Sequence, residues 1–128
     1  MLEKVSKIIS AFTDERGEIK NILENPINHV AIITSKAGSI RGNHYHPNDT
    51  QYCYLINGKF ESHAKDINND KLEKEIQIIE PGDLVTTPPN IAHAMKFIED
   101  STFLALTLDH RENIRFSDHT IKINILWI

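Results

Sequence analysis

Short runs rich in β-branched residues, each stopped by a turn signal, leave this chain little room for helices. The alternation predicts strands near Lys4–Phe12, Glu18–Leu23, His29–Ser35, Ser39–His46, Thr50–Asn57 and Lys59–Lys65. Further strands are predicted near Leu72–Glu80, Asp83–Thr87, His93–Ile98, Thr102–Leu108 and Thr120–Trp127. Asn57-Gly58 reads as a two-residue hairpin turn, because both positions tolerate positive φ. Residues 66–71 read as a longer polar hairpin tip, and Pro81-Gly82-Asp83 and Pro88-Pro89-Asn90 punctuate the strands on either side of them. No segment sustains a helical period over three turns, and Leu72–Glu80 alone is ambiguous. The expectation is an all-β sandwich or barrel occupying residues 1–128 as a single domain.

Size and charge narrow the function classes. A chain of 128 residues with 40% hydrophobic content can bury one ordinary core. A formal charge of −4 and the lack of a basic cluster argue against a nucleic-acid surface. An anionic small molecule could still be held by one or two arginines. The opening residues lack the long apolar core of a signal peptide, and no apolar run reaches the roughly 20 residues of a membrane helix. The one cysteine, Cys53, leaves no intrachain disulfide and fits a reducing cytoplasm. Ile121, Ile123, Ile125 and Trp127 alternate with polar residues, but Leu126 and Ile128 make the end apolar on both faces. Such an end strand is either covered by a second copy in a homodimer or buried within its own chain.

The chemistry concentrates in Gly38-Ser-Ile-Arg41-Gly-Asn-His44-Tyr-His46, followed by Gln51 and Gly58. On a strand, His44 and His46 share a face. Two adjacent imidazoles, with an amide from the following strand, can hold one metal ion or work on one substrate. Arg41 has the opposite parity to His44, so a regular strand points it outward unless Gly42 kinks the chain. Tyr52 and Tyr54 read as packing, and Cys53 as a buried, inert thiol. His29, His63, His110 and His119 lack a surrounding motif and read as incidental, and Asp109-His110-Arg111-Glu112 as a solvated loop.

The order Gly38, His44, His46, Gln51, Gly58 resembles the first cupin motif, with glutamine where most cupins have glutamate. Gly82, Pro88, Asn90 and His93 resemble the second, with Asn90 where glycine is usual and Phe97 where asparagine is frequent. This likeness implies a double-stranded β-helix, the cupin or jelly-roll barrel, with His44, His46, Gln51 and His93 facing inward. Within the superfamily, Arg41-Gly-Asn-His-Tyr-His46 with Gln51 resembles the nucleotide-sugar 3,4-ketoisomerases. It is also similar to the dTDP-sugar 3,5-epimerases, in which the first histidine, here His44, is catalytic. Asp14-Glu-Arg16-Gly17 matches an early motif of both groups, which implies that Arg16 holds the nucleotide diphosphate. The strand before the motif lacks the tyrosine expected of the ketoisomerases.

Three imidazoles and an amide leave a divalent ion its full charge and an open position, which suits Zn, Ni, Co, Mn or Fe acting as a Lewis acid. No organic cofactor is implied. The leading expectation is an enzyme that isomerises or epimerises a nucleotide-linked keto-sugar for surface-polysaccharide biosynthesis, with or without a metal. His44 or His46 would be the base, and Arg41 or Arg16 would hold the phosphates. The rival expectations are a metal-dependent cupin oxygenase and a non-catalytic sugar- or metal-binding module.

Overall fold

The computed structural model of the chain describes residues 1–69, 73–108 and 120–125. The described residues are all-β, without a helix. In chain order the strands are β1 (Lys4–Lys7), β2 (Phe12–Asp14), β3 (Gly17–Ile19), β4 (His29–Ser35), β5 (Ile40–Tyr45) and β6 (Gln51–Asn57). They continue as β7 (Phe60–Asp66), β8 (Glu75–Ile79), β9 (Asp83–Thr87), β10 (Ile91–Phe97), β11 (Ser101–Thr107) and β12 (Ile121–Lys122). Two antiparallel five-stranded sheets form, ordered β1-β9-β6-β11-β4 and β12-β5-β10-β7-β8. The chain passes back and forth between them, and this crossing is what defines the jelly roll. No helix among the described residues is long and apolar enough to cross a membrane.

Alternation sets the interior. Leu55, Phe60, Ile79, Val85, Met95, Phe97 and Phe103 form one buried cluster drawn from both sheets. Phe97 and Phe103 stack with ring centroids 5.8 Å apart, and Phe60 lies 5.2 Å from Phe97. This aromatic plug occupies the end of the barrel near the β6–β7 connection and leaves the opposite end for polar side chains.

Several boundaries differ from expectation. The predicted strand Lys4–Phe12 is two strands, because the chain leaves β9 after Lys7 and Ala11 donates its N–H to Ile19 in a separate β2–β3 hairpin. The predicted strand Glu18–Leu23 shrinks to Gly17–Ile19, where that hairpin ends. The turn expected to close a hairpin at Asn57-Gly58 instead carries the chain from one sheet to the other, since β6 pairs with β9 and β11 and β7 with β8 and β10. The φ angle is positive at Gly58 and not at Asn57. A Cβ on Gly58 would lie 2.6 Å from the Asp100 carbonyl oxygen, so the close approach of the β10–β11 turn also demands glycine. The C-terminal strand reduces to Ile121–Lys122 and pairs with β5 of its own chain. Residues 70–71 of the predicted hairpin tip, the 109–112 loop, His119 and the terminal Leu126, Trp127 and Ile128 lie outside the described residues.

Candidate active site

The polar end of the barrel is built on the pairing of β5 with β10. His93 stands directly opposite His44, but Ala94 stands opposite Gly42, so Asn43 is an extra residue in a β-bulge. Gly42 and Asn43 both have positive φ, 87° and 55°. A Cβ on Gly42 would lie 2.8 Å from the His93 carbonyl oxygen, so only glycine allows this approach. The bulge reverses the strand's parity. Arg41 comes opposite Met95, an inward position, and lines the same cavity as His44. The outward direction expected of a regular strand is thus corrected at Gly42 and Asn43.

Three imidazoles converge there. The ring centroid of His44 lies 4.7 Å from that of His46 and 4.7 Å from that of His93, while His46 and His93 are 6.2 Å apart. One ring nitrogen from each of the three lies within 4.8 Å of the other two. His46 and His93 are buried, and His93 Nε2 has no hydrogen-bond partner among the described residues. Burial, reinforced by the neighbouring His44 and His46 rings, holds the His93 imidazolium well below its usual pKa. Asn90, at the turn before β10, takes a φ of 65° and donates its N–H to the His46 carbonyl at 3.0 Å. Asparagine tolerates that left-handed conformation better than most residues, which explains how it can stand where glycine is usual.

The facing sheet supplies a polar row. Thr87 of β9 is opposite Gln51 of β6, Gln51 is opposite Thr107 of β11, and Thr107 is opposite His29 of β4. Glu3 extends the row beyond β1, its Oε2 accepting a hydrogen bond from the Thr87 hydroxyl at 2.6 Å. Its Oε1 accepts another from Ser62 of the opposite sheet at 2.5 Å. All of these side chains, with His44, His93 and Arg41, line one cavity of about 380 Å³. Glu3 is 1% exposed, and that burial raises its pKa against the pull of the two hydroxyl donors. Cys53 also lines the cavity, and burial pushes its thiol pKa up, so it stays protonated and inert.

Sequence reasoning missed Glu3 and His29. Neither has a motif around it, and the register that brings Glu3 to Thr87 joins residues 84 positions apart. Gln51 follows the histidines in sequence but reaches the cavity from the facing sheet, because the chain changes sheets after β5. His63 is buried and bonded to Glu61 at 2.9 Å, and it does not line the cavity. Arg16 is not brought to the histidines either. It lies at the tip of the β2–β3 hairpin, exposed and paired with Asp14 at 2.6 Å.

Arg41 is held firmly. Its Nε donates to Ser35 Oγ at 2.6 Å and its Nη2 to the Thr34 carbonyl at 2.9 Å. It also borders a second depression lined by Thr34, Ser35, Lys36 and Ser39. The guanidinium therefore separates the cavity from a polar exterior shelf.

A zinc–imidazole bond of about 2.0–2.1 Å places tetrahedral ligand nitrogens roughly 3.3 Å apart. His44, His46 and His93 need to converge only modestly from their present separation to meet that geometry. The three imidazoles fit a divalent transition metal, and the Gln51 amide lines the same cavity as His44 and His93.

A jelly roll with histidines clustered inside one end of the barrel defines a cupin-type protein. Residues 12–117 match the family of polysaccharide biosynthesis C-terminal domains, and the chain belongs to that family. Solved structures with the same fold include ChmJ, a 3′-monoepimerase from Streptomyces bikiniensis in complex with dTDP-quinovose. It has a TM-score of 0.79 at 17% identity, over 97% of this chain and 70% of that one. A variant of the 3,4-ketoisomerase QdtA from Thermoanaerobacterium thermosaccharolyticum, in complex with TDP-4-keto-6-deoxyglucose, gives 0.74 at 19% identity, over 94% and 87%. The dTDP-4-dehydrorhamnose 3,5-epimerase of Sulfolobus tokodaii gives 0.71 at 17% identity, over 98% and 84%. At these identities the likeness is one of fold. No curated protein matches the chain in sequence.

Proposed function

We propose that the chain isomerises or epimerises a nucleotide-linked keto-sugar during surface-polysaccharide biosynthesis. The observation that carries this reading is the cluster of His44, His46 and His93, of which His44 and His93 line a cavity whose other wall is the hydroxyl, amide and carboxyl row from Glu3 to His29. Carbon next to a ketone is weakly acidic. A neutral imidazole with pKa near the working pH is a suitable base for it. His44 or His46 removes the proton, the second imidazole donates to the developing enolate oxygen, and the proton returns to a different carbon or the opposite face. Excluding water strengthens each of these hydrogen bonds. Gln51, Thr87 and Thr107 offer neutral partners to sugar hydroxyls, and Arg41, at the edge of the cavity, offers a cation to the diphosphate.

A divalent metal on His44, His46, Gln51 and His93 is part of the proposal in its metal-assisted form. When bound, it would polarise the ketone as a Lewis acid. The proposed setting is the cytoplasm, with a homodimer as the working form. Arg16 would then act on a nucleotide diphosphate only from outside its own barrel's cavity, given where its hairpin lies.

The test is deuterium wash-in from heavy water into TDP-4-keto-6-deoxyglucose, followed by mass spectrometry. Wild-type protein should incorporate deuterium, and His44→Ala and His46→Ala should each lose at least about a hundredfold in rate while remaining folded. Wash-in that persists in both variants ends the assignment.

A further inference from the structure

Residues 120–125 run along the open edge of β5, the strand that carries the site. Ile121 pairs with Tyr45 and Lys122 with His44. Past that short ladder, the Ile123 N–H donates to the Asn43 carbonyl at 2.9 Å, and the Ile125 N–H donates to Asn43 Oδ1 at 3.1 Å. Asn43 is the extra residue of the bulge. The C-terminal stretch therefore grips the residue whose conformation turns Arg41 inward. Immediately before the ladder, Thr120 Oγ1 lies 3.3 Å from His46 Nδ1, and both residues are buried.

We infer that Thr120 is a positioning residue for His46, its hydroxyl accepting from Nδ1–H so that Nε2 presents a lone pair to the site. The catalytic use of that lone pair rests on the proposed isomerase function; the contact itself does not. A β-branched threonine on a strand has few rotamers, so its hydroxyl is a fixed point. An imidazole held at one ring nitrogen keeps one orientation and one tautomer, and its other nitrogen is thereby defined as base or ligand. In water a histidine side chain prefers the opposite tautomer, with the proton on Nε2, so the arrangement leaves a measurable signature. Chain order hides the relation: Thr120 lies 74 residues from His46, and only the β12–β5 pairing brings them together.

The experiment reads the His46 ring nitrogens by long-range ¹H–¹⁵N correlation in metal-free, substrate-free protein. The wild type should show His46 mainly protonated at Nδ1. Thr120→Val, which keeps the shape and removes the hydroxyl, should shift the tautomer ratio toward Nε2–H by roughly threefold or more, the effect of one modest hydrogen bond. Thr120→Ser should restore the wild-type pattern. His46 protonated at Nε2 in the wild type, or a His46 spectrum unchanged by valine, overturns the inference. Should valine prevent folding, Thr120→Ala is read by the same criterion. With TDP-4-keto-6-deoxyglucose, Thr120→Val should lower the kcat of wash-in roughly three- to tenfold at unchanged KM, with rescue by serine. Wash-in missing from the wild type counts against the isomerase reading alone, because the ring spectrum decides the positioning role without substrate.

Discussion

His93 and His44 face each other across neighbouring antiparallel strands, their ring centroids 4.7 Å apart, at the one register point where β5 gains a residue on β10. Burial and the adjacent rings keep His93 neutral in the fold, whereas in the unfolded chain it titrates near its ordinary 6.5. Its folded pKa is depressed, so unfolding takes up a proton whenever the pH is below that ordinary value. The stability it contributes is complete above about 6.5 and is lost as the pH falls toward the folded pKa. Metal-free protein should lose up to about 1.4 kcal/mol per pH unit through this one group. Denaturant unfolding of His93→Asn from pH 7 to 5 should show a slope shallower by about one proton. Equal slopes in the two proteins would mean that His93 is not buried in its neutral form.

Glu3 works in the other direction. Burial raises its folded pKa above the ordinary 4.5, so its contribution is complete below that value and is lost as the pH rises through the folded pKa. Glu3→Gln keeps partners for Ser62 and Thr87 and removes the ionisation. The variant should gain thermal stability relative to wild type as the pH climbs from 4.5 to 7. A melting-temperature difference that stays flat over that range would show the carboxyl to be comfortable when charged. Glu3→Ala leaves both hydroxyls without their acceptor and opens a void, and should cost about 2–4 kcal/mol.

The strands most legible in the sequence were β-branched runs closed off by turn residues on both sides. His29–Ser35 and Asp83–Thr87 have the bounds that their patterns predict. That His44 and His93 would face into the same barrel could be expected from the two motifs together, though not that they would stand opposite each other on neighbouring strands. The direction of Arg41 could not, because one inserted residue reverses parity, and Gly42-Asn43 permits a bulge without requiring one. Glu3 was illegible for a different reason. A single acid ahead of a short strand acquires meaning only through register with Thr87, and register is a property of the sheet. The start of the separate β2–β3 hairpin was hidden because the mixed stretch from Val5 to Phe12 does not show where the chain leaves β9.

Gly42→Ala tests the bulge itself. The alanine would need a φ of 87° and would place its Cβ 2.8 Å from a backbone oxygen that cannot swing aside. The two effects together should cost about 2 kcal/mol or more. The local cost falls on the turn that directs Arg41 and His44 to the same side, so substrate affinity should fall along with stability. Thermal unfolding and nucleotide-sugar binding, measured on the same preparation, check this. A variant as stable as wild type would show that β5 can relax its register without penalty.

The part played by Gln51 can be decided by its charge. Glutamine and glutamate have nearly the same shape, and position 51 sits between Thr87 and Thr107 in the sheet facing the histidines. If its side chain completes the donor set of His44, His46 and His93, Gln51→Glu adds a negative charge to an otherwise neutral set of ligands. Hard and borderline divalent ions bind carboxylate more tightly than amide oxygen, so retention of zinc or nickel in equilibrium dialysis should strengthen by roughly tenfold or more. Stripping the metal with a chelator should then be slower for the glutamate variant, and His93→Ala should abolish retention in both backgrounds. Retention that is unchanged by Gln51→Glu but lost with His93→Ala would leave three imidazoles as the whole protein donor set and assign Gln51 to the sugar.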